Sequence, residues 1–202
     1  CNLHPLFVDI NLSDLSFDIQ KLEKVIKSNE NVKGIFVTHL LGLPASISEI
    51  KELCNKYNLK IFEDCCEAHG AIHNKEKVGN FGEGGTFSFY FGHHMTTIEG
   101  GMISTNNYDL YKLFLLKRNH GMAFSLPKED YDLESKKYPN LSSRFLFLTT
   151  GYNFRNTEIN AVLGLSQLSK LDSFIKNRNL VYREYIKICK ENSDIIYVMN
   201  DS

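Results

Sequence analysis

His93 stands five residues after Ser88 and seven before the pair Gly100-Gly101, in the run Phe87-Ser88-Phe89-Tyr90-Phe91-Gly92-His93-His94-Met95-Thr96-Thr97-Ile98-Glu99-Gly100-Gly101. An unperturbed imidazole has a pKa of about 6.5, so much of it is neutral at physiological pH and ready to accept a proton, which suits general acid/base work. Upstream, Ile61-Phe62-Glu63-Asp64-Cys65-Cys66-Glu67 ends an apolar run on acidic residues. If that run is a parallel strand, Asp64 lies at its carboxyl end, where open α/β sheets form their ligand crevice. The competing reading is an acidic strand-end residue that caps the next turn.

The elements around these residues alternate between the periods of helix and strand. Residues 15–27 carry Phe17, Ile19, Leu22, Val25 and Ile26 on one helical face, and residues 32–37 read as a buried strand. Ser46-Ile47-Ser48-Glu49 has the form of a capping box opening a helix with Ile50, Leu53 and Tyr57, which Asn58 ends. Strands are expected over residues 60–64, 85–90 and 102–105, then a helix over 108–118 stopped by Gly121. Helices over 157–168 and 172–191 follow, with short strands at Leu6-Phe7-Val8-Asp9-Ile10 and Ile195-Ile196-Tyr197-Val198 near the two ends. Residues 123–150 read as a long irregular segment, of a kind more often functional or interfacial than idle. Such alternation predicts an α/β fold with a mostly parallel sheet and helices on both faces.

Three separated motifs resemble the DegT/DnrJ/EryC1/StrS family of sugar aminotransferases, which use pyridoxal 5'-phosphate (PLP). The segment from Phe87 to Gly101 resembles the family's anchoring segment, Ile61 to Ala71 resembles its strand ending in Glu-Asp-Ala-Ala, and Gly151-Tyr152-Asn153-Phe154-Arg155 resembles its Gly-Tyr-Asn-x-Arg. The resemblance implies an aspartate-aminotransferase-like (fold type I) large domain over residues 1–168, lacking its amino-terminal part. A connecting helix and the start of a small carboxyl-terminal domain would occupy 169–202. The chain begins at Cys1 and reads as an internal fragment of a longer enzyme. The resemblance also gives the site residues their roles. Asp64 pairs with the pyridine nitrogen, which makes the ring an electron sink. Ser88 holds the phosphate, Glu67 contacts the phenolic oxygen, and Asn153 reaches the phosphate across a homodimer interface.

One position departs from the aminotransferase pattern: the family's cofactor-tethering lysine is His93 here. Imidazole forms no stable covalent link to the cofactor, so PLP, or its amine form pyridoxamine 5'-phosphate, is held by noncovalent contacts, while proton transfer remains available. This matches the family's histidine-for-lysine branch, sugar 3-dehydratases that remove the carbon-3 hydroxyl of a nucleotide-linked 4-keto-6-deoxyhexose. One sort in that branch needs an iron-sulfur cluster on closely spaced cysteines. Between Gly101 and Ile188 this chain has no cysteine, so no such cluster is expected. Arg118-Asn119-His120-Gly121-Met122 and its cysteine-free sequel resemble the other sort, which uses the coenzyme alone. The implied substrates are GDP-4-keto-6-deoxy-D-mannose and L-glutamate, in the making of dideoxysugars such as colitose for O-antigen and lipopolysaccharide. An aminotransferase using another lysine is the first alternative, although no lysine lies between Lys77 and Lys112. A catalytically silent PLP-binding relative is the second.

The remaining candidates have a bland reading beside the functional one. Glu67 could be a solvated acidic residue and Asn153 an ordinary helix-entry asparagine. His120 lies near the substrate in the family reading, or else favours the dipole of the helix before it. Phe145 falls in the segment that lies near the dimer partner in the family and is expected to help cover a neighbouring substrate site. His94 rivals His93 as base, but neighbours in an extended or turning segment point different ways, and the family spacing selects His93. His39, His69 and His73 have no partners at metal-ligand spacing, so they read as satisfied structural histidines and no metal site is expected. Cys65-Cys66 reads as small buried residues in place of Ala-Ala. Arg155 and Glu158 fit an i, i+3 ion pair as readily as a site.

Composition narrows the class without choosing the reaction. With 202 residues, 43% hydrophobic and 23% charged, the chain can form one substantial core. A net charge of −1 gives no electrostatic footprint for nucleic acid or anionic lipid. Five cysteines without framework spacing suit a reducing cytoplasm, and no apolar run approaches the roughly 20 residues of a membrane span.

Overall fold

The computed structural model describes residues 3–198. Helix α1 (Ile19–Lys27) opens at Asp18, whose carboxylate accepts the N–H groups of Gln20 and Lys21. The helical period suggested a start near residue 15. Leu15 instead holds a left-handed φ of 58° and donates its N–H to Asn11, so no helical turn precedes the cap. Just upstream, the strand expected over residues 6–10 reduces to one antiparallel bridge between Ile10 and Phe17.

Strand β1 (Gly34–Thr38) and helix α2 (Ile47–Tyr57) come next. Ser46 does not form the expected capping box. Its hydroxyl donates to Asp14 and its N–H to the Ser16 hydroxyl, drawing the helix start onto the amino-terminal loop. At the other end Asn58 adopts the left-handed conformation and returns its N–H to Cys54, the stop its residue type suggests.

Strand β2 (Lys60–Asp64) lies parallel to β1, with Thr38 opposite Asp64. A short hairpin of β3 (Ile72–His73) and β4 (Glu76–Lys77) leads to β5 (Gly84–Ser88), parallel to β2, and β6 (Gly101–Ser104) returns antiparallel to β5. The sheet order is β1-β2-β5-β6, a mixed and mostly parallel sheet flanked by helices. Alternate residues Ile35 and Val37 of β1 and Ile61 of β2 are buried with Leu22 and Ile26 of α1 and Ile47, Ile50 and Leu53 of α2. Each such aliphatic side chain contributes about 1.5–3 kcal/mol when fully buried. This core fixes the carboxyl ends of β1 and β2, where the candidate residues sit.

Helix α3 (Tyr108–Arg118) runs over the expected span. His120 is left-handed, and Gly121 sends its N–H back to the Leu116 carbonyl at 2.8 Å. A Cβ at Gly121 would overlap the Thr149 carbonyl, so only glycine fits this stop. Residues 123–150 are less irregular than their composition suggests, because they contain helix α4 (Lys128–Lys136). That helix has acids in its first turn and Lys136 in its last, as the helix dipole favours, but no apolar stripe to announce it.

Helices α5 (Glu158–Leu168) and α6 (Leu171–Glu191) complete the described elements. The strand expected at residues 195–198 is not formed, and turns follow α6 instead. Among the described residues, Arg155 and Glu158 make no ion pair, and the Arg155 side chain donates to the Asn153 amide oxygen at 3.0 Å. No helix of the described residues is long and apolar enough to cross a membrane.

Candidate active site

The site is built on a buried carboxylate that does no chemistry itself. Glu63, fully buried on β2, accepts the backbone N–H groups of Gly79, Phe81 and Gly82 at 2.7–3.0 Å and faces His39 Nε2 at 3.1 Å. Because His39 Nδ1 accepts the Ala45 N–H, Nε2 carries the ring proton and donates it to Glu63. Burial alone raises the pKa of the Glu63 carboxyl, but the His39 bond and the Gly79 and Phe81 amides outweigh it and hold the group below its usual range. His39, Glu63 and Cys65 lie close enough to hold a metal ion, yet both imidazole nitrogens and both carboxylate oxygens already have protein partners. His39 is thus the structural histidine its sequence context suggested, as is His73, which bonds the Ser48 hydroxyl at 2.8 Å.

One residue on, Asp64 is half-buried at the end of β2, and its Oδ1 accepts the Cys66 N–H. The main chain is held there too, since the Asp64 carbonyl accepts the His39 N–H at 3.0 Å. Burial, then the neighbouring Asp64, pushes the Cys66 thiol up to about 11, and burial pushes the fully buried Cys65 up as well, so neither is a nucleophile near neutral pH. Glu67 accepts the N–H of Leu41 at 2.8 Å, which pins the strained left-handed Leu41 beside the crevice. Ser88 closes β5, and its Oγ accepts the Tyr90 N–H, leaving its own proton to donate to an anion.

The loop after Ser88 carries His93. Its turn is closed by the His93 N–H to the Tyr90 carbonyl, and its return by the Thr97 N–H to the Phe89 carbonyl. From α5, the Asn160 amide donates to the Thr97 and Glu99 carbonyls at 2.7 and 3.2 Å and clamps the loop from outside. His93, His94, Glu67, Leu41, Gly92 and Arg178 line a pocket of about 150 Å³. Arg178 is on α6, which packs so closely over the loop below that a Cβ on Gly70 would strike Ile175. Sequence reasoning missed Leu41 and Arg178, and no local signal marks them.

His69 differs from its expected role. It is buried and only weakly supported, with the Ser88 backbone as its one hydrogen-bond aid and no side-chain partner at either ring nitrogen. Burial holds its pKa down to about 4.

The other three candidates lie in a separate group. Asn153 forms a backbone bridge with Asn119, and the His120 N–H donates to the Tyr152 carbonyl at 2.7 Å. Phe145 is 66% exposed in a short 3-10 turn. None of the three lines the His93 pocket, so this chain brings Glu67 and His93 together and leaves His120, Phe145 and Asn153 apart.

The model of the DegT/DnrJ/EryC1/StrS aminotransferase family matches residues 1–201. The chain belongs to that family. It is 36% identical over 176 residues to a GDP-4-keto-6-deoxy-D-mannose 3-dehydratase of Escherichia coli O55:H7, covering 87% of this chain and 45% of that relative. A GDP-perosamine synthase of Escherichia coli O157:H7 is 31% identical over 200 residues, covering 96% and 50%. Among solved structures, the E. coli GDP-4-keto-6-deoxy-D-mannose 3-dehydratase with bound hydrated PLP superposes with a TM-score of 0.82 at 32% identity, over 97% of this chain and 50% of that one. The chain spans about half the length of these family members. The superposition places the fold among PLP-dependent aminotransferase-like enzymes.

Proposed function

We propose that the protein acts with PLP and its amine form to remove the carbon-3 hydroxyl from a nucleotide-linked 4-keto-6-deoxyhexose, with GDP-4-keto-6-deoxy-D-mannose as the favoured substrate and L-glutamate as amino donor. The observation that carries this reading is His93, which sits in the pocket with Glu67 where the family's aminotransferases have lysine. No lysine lines that pocket. The donors present fit the cofactor: the Asp64 carboxylate ends β2, and Ser88, with a proton to give, ends the adjacent parallel β5, five residues before the His93 imidazole.

When bound, PLP supplies an electron sink and a carrier for the glutamate nitrogen. Asp64 keeps a proton on the pyridine nitrogen. Ser88 donates to the phosphate, and Glu67 meets the phenolic oxygen while Leu41 holds its other end in place. His93 moves a proton at the carbon next to the amine nitrogen, and its imidazole serves both the glutamate and the sugar half of the cycle. Across the whole cycle the sugar loses one oxygen atom, glutamate supplies the electron pair that replaces it, and 2-oxoglutarate and ammonia leave. We assign residues 1–168 to the large domain and 169–202 to the connection and start of the small domain. Asn153 and Phe145 act on a neighbouring subunit's site in a homodimer and His120 lies near the substrate; none of the three lines the His93 pocket of its own chain. The proposed setting is the cytoplasm, without an iron-sulfur cluster.

Mass spectrometry of the sugar after incubating the full-length protein with PLP, L-glutamate and GDP-4-keto-6-deoxy-D-mannose tests the proposal. The expected product has lost one oxygen, with 2-oxoglutarate and ammonia released. A 4-amino sugar would overturn the dehydratase in favour of an aminotransferase like the perosamine synthases.

A further inference from the structure

Two imidazoles beside His93 have no task in the reaction above. His69 is 6% exposed, its ring nitrogens meet no side chain and have only the Ser88 backbone as hydrogen-bond support; the Nδ1 of His94 is buried without a partner. The His69 ring stands 5.7 Å from the His94 ring, edge-on, and 6.5 Å from the His93 ring. Phe87 and Phe89 lie 5.8 Å from the same ring, on β5 and just after it. With the Ser88 backbone supporting one side of His69, a lone pair of that ring and the His94 Nδ1 are left close together without a protein partner. No hydrogen bond joins the rings directly, and an ordered water is a group small and polar enough to bridge them.

We infer that His69 and His94, joined by an ordered water, form a polar brace that fixes the His93 ring and accepts a hydrogen bond from it once it is protonated. His69 is thereby a positioning residue, and this rests on His93 being the acid/base group. The brace works only if its members stay uncharged, and their surroundings keep them so. Burial first, then the His94 and His93 rings and Arg178, lower the His69 pKa, with the Ser88 backbone opposing. Burial, Arg178 and His93 lower that of His94 against Glu67. Neutral imidazoles present lone pairs to a neighbouring imidazolium where charged ones would repel it.

Histidine-selective NMR titration of the intact protein without cofactor tests the brace, with the His93 signal assigned through His93→Asn. In His69→Phe, which keeps an aromatic ring but offers no acceptor, the His93 midpoint is expected to fall by about one pH unit. His69→Gln, with a side-chain carbonyl, is expected to recover most of that shift. An unchanged midpoint in folded His69→Phe, or a Gln variant that behaves like Phe, would overturn the brace. If His69→Phe does not fold, His94→Phe carries the same expectation and the same refutation. Because the readout needs no turnover, a shifted midpoint in a protein that does not dehydrate the sugar would uphold the brace and defeat the proposed reaction. Dehydration with an unshifted midpoint would do the reverse.

Discussion

Around His93 the side chains are half-buried and tied to distant elements, Glu67 to Leu41 and the loop carbonyls of Thr97 and Glu99 to Asn160. Around Asn153 they are exposed, and the Asn153 amide is bonded to Arg155, two residues along. Helices α2 and α5 show the same contrast at equal length. Both have eleven residues, yet α2 buries four side chains and α5 buries none, with Ile159, Val162, Leu165 and Leu168 each more than half exposed. An apolar stripe of that size on a helix marks a face that another surface covers. The difference teaches that one region ties its groups to other elements of this chain while the other presents groups outward, so substitutions in the two should fail in different ways.

The largest effect is expected at the centre of the internally tied region. His93→Asn should lower kcat about 10²–10⁴-fold, the usual range for losing a general acid/base, while spectral titration shows PLP binding intact. Unchanged turnover would transfer the role to His94. Next comes Glu63→Gln, which trades a four-donor acceptor for a group that sets an N–H against an N–H. Denaturant unfolding should show a loss of about 3 kcal/mol.

Acid should weaken the same region through His69. Its folded pKa of about 4 lies below the unfolded value of about 6.5, so its contribution is complete above pH 6.5 and declines as the pH falls to 4. The total is about 3 kcal/mol, and His69→Phe should flatten that part of the stability profile. The smallest effect belongs to the outward region. Phe145→Ala should leave unfolding free energy within about 0.5 kcal/mol while raising KM for the nucleotide sugar in the assembled protein. A large stability loss there would break the contrast.

The parts of the site legible in the sequence are those carried by short spacing and strand ends. Strand β2 and helix α3 occupy the residues their patterns predict, because an apolar run closed by acids and a stretch stopped by Gly121 are local signals. Ser46 misleads because its hydroxyl is claimed by Asp14, 32 residues away, and α4 is hidden by its polar surface. His69 reads in the sequence as a satisfied core histidine. Its true neighbours, Phe87, Phe89 and His94, arrive from β5 and the loop beyond, and no pattern near residue 69 announces them.

The grip of Glu63 on Gly79, Phe81 and Gly82 also bears on how the chain tolerates change in length. A carboxylate that collects three amides 16 to 19 residues ahead fixes both ends of the excursion between β2 and β5 while leaving its middle free. The left-handed turn at Asn74 and Lys75 is the outer tip of that excursion. Extra residues spliced there can lengthen the hairpin and leave the crevice floor in register, whereas a single residue added between Val78 and Gly82 would pull an amide out of the grip.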